Sequence, residues 1–171
     1  MSRAGELADL LERRGRAFAD FLSALSPEQW TTRCGNHPTI RVGDEDENRP
    51  VGTVAHHTVV ALPRQLRLLR AIVDGVEVPR PSPGGVADHA RANPAPDQAE
   101  TTALMRGNTS DIAQALRELS DEELGRTGRT FLGEMDAGQV VERILLGHID
   151  WHEESIRVTL ALPRPDAPSP V

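Results

Sequence analysis

Four stretches of this chain repeat their apolar residues at three- and four-residue steps, and proline- or glycine-containing segments separate them. That spacing lines one face of an α-helix. The first stretch runs roughly from Ala4 to Leu25, with Leu7, Leu10, Leu11, Phe18, Leu22 and Leu25 on its stripe and Ser2 as its cap. The second opens at Pro50 and reaches Asp74, where Gly75 stops it, and Pro63 inside it predicts a kink. The third spans about Asp97 to Leu119, with Leu104, Ile112, Leu116 and Leu119 turned inward and Gly107 weakening its middle. The fourth starts at an Asp136 cap, with Gln139 in the reciprocal position, and reaches about Leu162. No stretch alternates at period two, so the expected class is all-α, without a sheet. A four-helix bundle buries four such stripes together.

The connections carry their own signals. Ser26-Pro27-Glu28-Gln29 and Ser120-Asp121-Glu122-Glu123 each read as the start of a short helical turn. Residues 31–48 show no periodicity and include the acidic run Asp44-Glu45-Asp46-Glu47, which reads as a solvated surface loop. Val76 to Pro96 is rich in proline and contains Gly84-Gly85, so an extended loop is expected there. Arg126 to Glu134 reads as connector. The expected organisation is one bundle domain over residues 1–162 and a flexible proline-rich tail over 163–171.

Composition excludes several function classes. With 171 residues the chain is long enough to bury a core without staples. Its net charge is −7, its basic residues are all arginine, and none of them form the stripe that neutralises nucleic-acid phosphates. Arg64, Arg67 and Arg70 cluster at helical spacing and read as one solvated face. No apolar run approaches the ~18 residues of a membrane span. The N-terminus lacks a basic-then-apolar leader pattern. One cysteine, Cys34, forms no intramolecular disulfide framework, and a cytoplasmic setting is expected. Nucleic acid and membrane are therefore not the expected partners; a small molecule is.

The histidines carry the chemistry. His148 and His152 lie four apart on the fourth helix, on the face that also holds Val141 and Leu145, so both rings point toward the bundle interior. Two imidazoles at that spacing can chelate one transition metal. They can equally hydrogen-bond to backbone or line a wet cleft. A third ligand would decide, and the second helix offers His56-His57. If Val54, His57 and Ala61 form the inward stripe, His57 faces the core and His56 lies roughly 100° away. Three neutral nitrogens with open positions make the catalytic pattern of a metal site.

Several segments together resemble the DinB-like superfamily. They are Leu25-Ser26-Pro27-Glu28-Gln29-Trp30, Val51-Gly52-Thr53-Val54-Ala55-His56-His57, and Gly147-His148-Ile149-Asp150-Trp151-His152 with Ser155-Ile156-Arg157. That superfamily includes mycothiol-dependent maleylpyruvate isomerases and bacillithiol and mycothiol S-transferases. The resemblance implies a four-helix bundle with one divalent metal, zinc or nickel, on His57, His148 and His152. It also implies a low-molecular-weight thiol as cosubstrate and pairing into homodimers. The chain departs from the family at Asn48-Arg49-Pro50, where tryptophan is frequent, and at Ser155, where glutamine or glutamate is frequent. Pro63 is a further departure, below the site.

The expected activity is transfer of a mycothiol-like thiol to an electrophile, with the thiolate formed on the metal. The same site suits isomerisation, hydrolysis or other Lewis-acid catalysis, and a non-catalytic stress-response or binding bundle is the third reading. Candidate substrate contacts are Arg157, Ser155 and His56; Arg157 also fits a role in the helix's last turns. No catalytic acid or base stands out, since Asp150 projects off the ligand face and Glu153 lies one step past His152. Cys34 and His37 read as polar-loop residues, His89 as solvent-facing, and Trp151 as a packing or dimer contact.

Overall fold

The periodic stretches become long helices in a computed structural model of the protein, which describes residues 2–34, 49–78 and 85–163. The elements, in order, are α1 (Arg3–Ser23), α2 (Pro27–Thr31), α3 (Val51–Val73), α4 (Gly85–Ala92), α5 (Gln98–Arg117) and α6 (Asp121–Leu124). Strands β1 (Thr127–Thr130) and β2 (Gly133–Asp136) follow, then α7 (Ala137–Val140), a π-helical segment (Val141–Leu146) and α8 (Gly147–Thr159). The last three run end to end and form the fourth long rod of the bundle.

Caps fix where these helices begin. Ser2 accepts the amide of Gly5, and Asp97 accepts that of Glu100. Reciprocal capping boxes join Ser26 to Gln29, Ser120 to Glu123 and Asp136 to Gln139. Gly75, at φ 66°, takes the left-handed conformation just past α3. Pro63 sits inside α3, which continues through it to Val73.

The bundle is not wound in sequence order. α1 packs on α5 and on the π–α8 rod, and α3 packs on the same two. Consecutive long helices α1 and α3 are therefore diagonal, as are α5 and α8. Each diagonal step needs a crossover longer than a tight helical turn. The first crossover carries α2, whose Trp30 is buried and donates its indole N–H to the Pro96 carbonyl at 2.9 Å. The second carries α6 and the two strands. The core between the rods is built from Leu11, Phe18 and Leu22 of α1, Leu62, Leu69 and Ile72 of α3, Met105, Ile112 and Leu116 of α5, and Leu145 and Ile156 of the last rod.

Four expectations change. The connector before Asp136 is a β-hairpin, antiparallel with Thr127 opposite Asp136 and Thr130 opposite Gly133. Its four-residue strands bury only Thr130 and Met135, so no apolar alternation marks it in the sequence. Within 76–96 lies α4, which buries none of its residues and so leaves no stripe to read. The fourth helix changes pitch: Ile144, Leu145 and Leu146 are consecutive and all buried, which the wider π turn accommodates. Cys34 is likewise buried, and its amide donates to the Arg49 carbonyl at 2.8 Å. The acidic run Asp44–Glu47, His37 and the tail from 164 onward lie outside the described residues.

Candidate metal centre

α3 and α8 pack side by side, and each brings its histidines to the same place. His57 follows Val54 by three residues and precedes Ala61 by four; all three are buried, so His57 lies on the helix face that the apolar stripe predicts. On α8, His148 and His152 stand one turn apart, just after the π segment. A π turn next to a side-chain cluster re-aims the residues that follow it, and such turns concentrate at functional sites.

The three rings meet nearly edge to face. His57 lies 5.3 Å from His148 and 5.4 Å from His152 between ring centroids, with interplanar angles of 72° and 83°. The His148 and His152 rings are 4.6 Å apart at 86°. Their Nε2 atoms approach to 3.1 Å, and one nitrogen from each of the three rings lies within 4.8 Å of the others. Two imidazole nitrogens bound to one ion at ~2.0–2.1 Å stand about 3 Å apart, so this separation suits a shared cation.

Burial and charge hold these rings neutral. Burial pushes His57 down to about 2, reinforced by His148, Arg49, His89 and Arg64. Burial also lowers His148 to about 4, with Arg64 and Arg49 adding to it. His152 falls well below its ordinary value for the same reason, with His148, His57 and Arg49 contributing. A neutral imidazole presents a lone pair, which a metal requires and a proton would occupy. The Nδ1 atoms of His57 and His148 are shut off from solvent and have no hydrogen-bond partner among the described residues. Buried polar atoms left in that state carry a free-energy cost and stand out in an otherwise apolar core. The donor set therefore fits one borderline-soft divalent metal.

With that geometry, sequence comparison places the chain. The DinB superfamily profile matches residues 10–155. The chain belongs to the DinB superfamily. No curated protein matches it. Among solved structures it is similar to YfiT from Bacillus subtilis, described as "a probable metal-dependent hydrolase with an unusual four-helix bundle topology". The likeness has a TM-score of 0.69 at 14% identity and covers 94% of this chain and 89% of that one. At that identity the likeness concerns the fold, and the DinB bundle is the architecture both chains share.

The remaining candidates are placed as follows. His56 sits beside the centre, and its Nδ1 is 2.9 Å from Nε2 of His89. Ser155 is buried three residues after His152. Arg157 is engaged within the protein: its Nε donates to Glu153 Oε1 at 2.8 Å, its Nη1 to the Pro163 carbonyl at 3.1 Å, and its guanidinium lies 4.0 Å over the Phe21 ring. Those contacts tie the end of α8 to α1. Asp150 points away from the histidines and pairs with Arg14 of α1. Trp151 is exposed.

His89 is the functional-looking residue that sequence reasoning misplaced. It is half-buried rather than solvent-facing, because α4 folds back on α3 and lays the ring along His56, with centroids 5.1 Å apart. It also meets the His57 ring edge-on at 5.4 Å. Its only sequence signal was being a histidine in the segment that returns from α3 to α5.

Proposed function

We propose that this DinB-superfamily protein is a metal-dependent enzyme of small molecules that transfers a low-molecular-weight thiol, mycothiol-like, to an electrophile. His57, His148 and His152 hold the ion, of zinc or nickel type. The observation that carries this reading is the convergence on one point of three neutral imidazoles from two helices, His57 and His152 buried and His148 half-buried. All three ligands are uncharged, so a bound dication keeps its full charge. That charge supplies Lewis acidity, which favours a thiolate over a thiol at neutral pH.

The chain's own residues favour a thiol over water as the nucleophile. Among the described residues, the charges that lower His57, His148 and His152 are those of Arg49, Arg64 and neighbouring imidazoles. Two acids close in sequence, Glu153 and Asp150, are held by Arg157 and Arg14. A thiol acidified by direct ligation needs no general base, whereas attack by water gains from one. The cationic surroundings of Arg49 and Arg64 further stabilise an anion brought to the site. Arg49 is itself buried beside α3, and His56 and Ser155 flank the ligands as substrate contacts. Hydrolysis is the second reading, favoured by the structural likeness to YfiT and its description.

The test is turnover by protein loaded with zinc or nickel. Thiols of the mycothiol and bacillithiol type are offered with an alkylating reporter, and ester and amide substrates are offered without thiol. Thiol-dependent turnover that falls to background in His57→Ala, His148→Ala and His152→Ala is the expected result. Turnover of esters without thiol would establish hydrolysis instead. Metal uptake with neither activity would overturn the enzymatic reading and leave a binding module.

A further inference from the structure

The three histidines are largely closed off from solvent. His57 and His152 are each 7% exposed, and His148 is half-buried. An ion held on them serves chemistry only if a ligand reaches its open positions, so something at the mouth has to move. α4 touches the cluster through the His89 ring, which meets His57 edge-on at 5.4 Å. None of its eight residues is buried. A helix that short, without a buried stripe, leaves its neighbours at low cost.

We propose that α4 is a lid over the three-histidine centre, latched by the hydrogen bond between His56 and His89 and hinged at residues 93–96. The inference rests on that centre as a metal site and not on the reaction assigned to it.

The latch is one ring-to-ring bond, with His56 Nδ1 and His89 Nε2 2.9 Å apart and ring planes 24° from parallel. Around it, Val86, His89 and Ala90 are half-buried, while Ala87, Asp88 and Arg91 are exposed. Arg91 pairs with Asp88 of the same helix and so adds no tie to the bundle. The hinge, in contrast, is fixed. Asn93 closes α4, its amide and its side-chain Nδ2 donating to the His89 carbonyl at 2.9 and 3.0 Å. The buried Thr53 hydroxyl donates to the Asn93 carbonyl at 3.0 Å, and the buried Trp30 indole to the Pro96 carbonyl at 2.9 Å. Pro94 and Pro96 each hold φ at about −65°. Residues 93–96 are thus pinned to α2 and α3, while the helix before them rests on half-buried contacts and one hydrogen bond. Breaking that bond lets His89 swing off the edge of His57 and frees His56 Nδ1. One motion then opens the centre and uncovers a substrate contact, and its reversal shuts bulk water out.

The experiment follows uptake of Ni²⁺ by the full-length protein, and its removal by a chelator, in stopped flow, with Kd taken from calorimetry. A lid that makes no bond to the ion changes both rates and leaves affinity alone. His89→Ala, on a helix that adds nothing to the buried core, should speed uptake and removal alike by about fivefold, the effect of one net hydrogen bond on an equilibrium. Its Kd should match wild type. His89→Phe keeps a ring without the bond and should fall between the two. Unchanged rates in His89→Ala would overturn the lid and leave α4 as passive packing. Faster removal alone, with weaker Kd, would also overturn it and make His89 a support of the ligands. A second readout needs no metal: carbethoxylation of His57 and His152 in the metal-free protein, located by mass spectrometry, should also run about fivefold faster in His89→Ala. If no metal binds and that acceleration appears, the metal centre falls and the lid stands. If metal binds while neither the rates nor the labelling change, the lid alone falls.

Discussion

The contact between α1 and α5 and the histidine corner of α3 and α8 belong to one bundle, yet they are built on opposite terms. Along the first, Leu11, Phe18 and Leu22 of α1 and Met105, Ile112 and Leu116 of α5 are all buried and apolar. The helices come close enough that a Cβ on Gly15 would stand 2.5 Å from Thr109. At the edge of this contact Arg117 pairs with Asp9 and Glu12 at 2.7 and 2.8 Å, and Arg106 pairs with Asp20. In the histidine corner the groups packed inward are imidazoles, two of whose Nδ1 atoms lack partners among the described residues, and the helix leading in is π-wound. The neighbouring α4 buries nothing. Every group in the first region supports folding. In the second, groups costly to a metal-free fold are held in place by the first. Shifted titration and unsatisfied polarity gathered in one corner of an otherwise regular core mark a site.

Substitutions can break that contrast, beginning with the largest effect. Phe18→Ala removes a fully buried ring at a site with little room to collapse, and should lower unfolding free energy by about 3–5 kcal/mol. Chemical denaturation measures it, and a loss below 1 kcal/mol would show the core to be softer than its packing implies. Gly15→Ala forces a methyl against Thr109 and should cost about 1–3 kcal/mol. The better helix propensity of alanine returns up to ~1 kcal/mol of that. A stabilised Gly15→Ala would mean that α1 and α5 are not in close contact.

The histidine corner answers to pH instead. His57 and His148 stay neutral in the folded state well below their ordinary value of 6.5, down to about 2 and about 4 respectively. The unfolded chain takes up those protons near 6.5, so falling pH favours unfolding. Stability of the metal-free protein should therefore be full above about pH 6.5 and decline below it, down to about pH 4 for His148 and about pH 2 for His57. The decline is at most about 1.4 kcal/mol per pH unit for each histidine titrating. Urea melts across that window, with the His57→Ala/His148→Ala/His152→Ala variant as reference, measure it. An equal slope in that variant would place the titration elsewhere, whereas a flatter one would assign it to this corner.

Much of this was legible residue by residue. The stripe of Leu7, Leu11, Phe18 and Leu22 places α1, and Ser26, Ser120 and Asp136 announce their capping boxes through side-chain chemistry that acts within four residues. His148 and His152 were readable as a pair because helical geometry alone sets their spacing. His57 was separable from His56 because burial of Val54 and Ala61 chooses a face. The hairpin was not legible, since four-residue strands with mostly exposed side chains carry no alternation. Nor was the π segment, because a run of apolar residues is the same string whether its hydrogen bonds reach back four residues or five. For Arg157, which the sequence offered both as a substrate contact and as a support of the helix end, the packing against Glu153 and Phe21 is a tertiary feature that spacing does not reveal.

Interactions reaching no further than one or two turns set the four long helices, their caps and the shared face of His148 and His152, so these were readable from the residues alone. Tertiary structure alone decided that α1 and α3 lie diagonally, that α8 meets α3, and that α4 folds back to lay His89 against His56. Local propensity carries no information about which helix a stripe will face. That choice is made by how four apolar faces and two long crossovers pack at once, and the three-histidine cluster exists only after it is made.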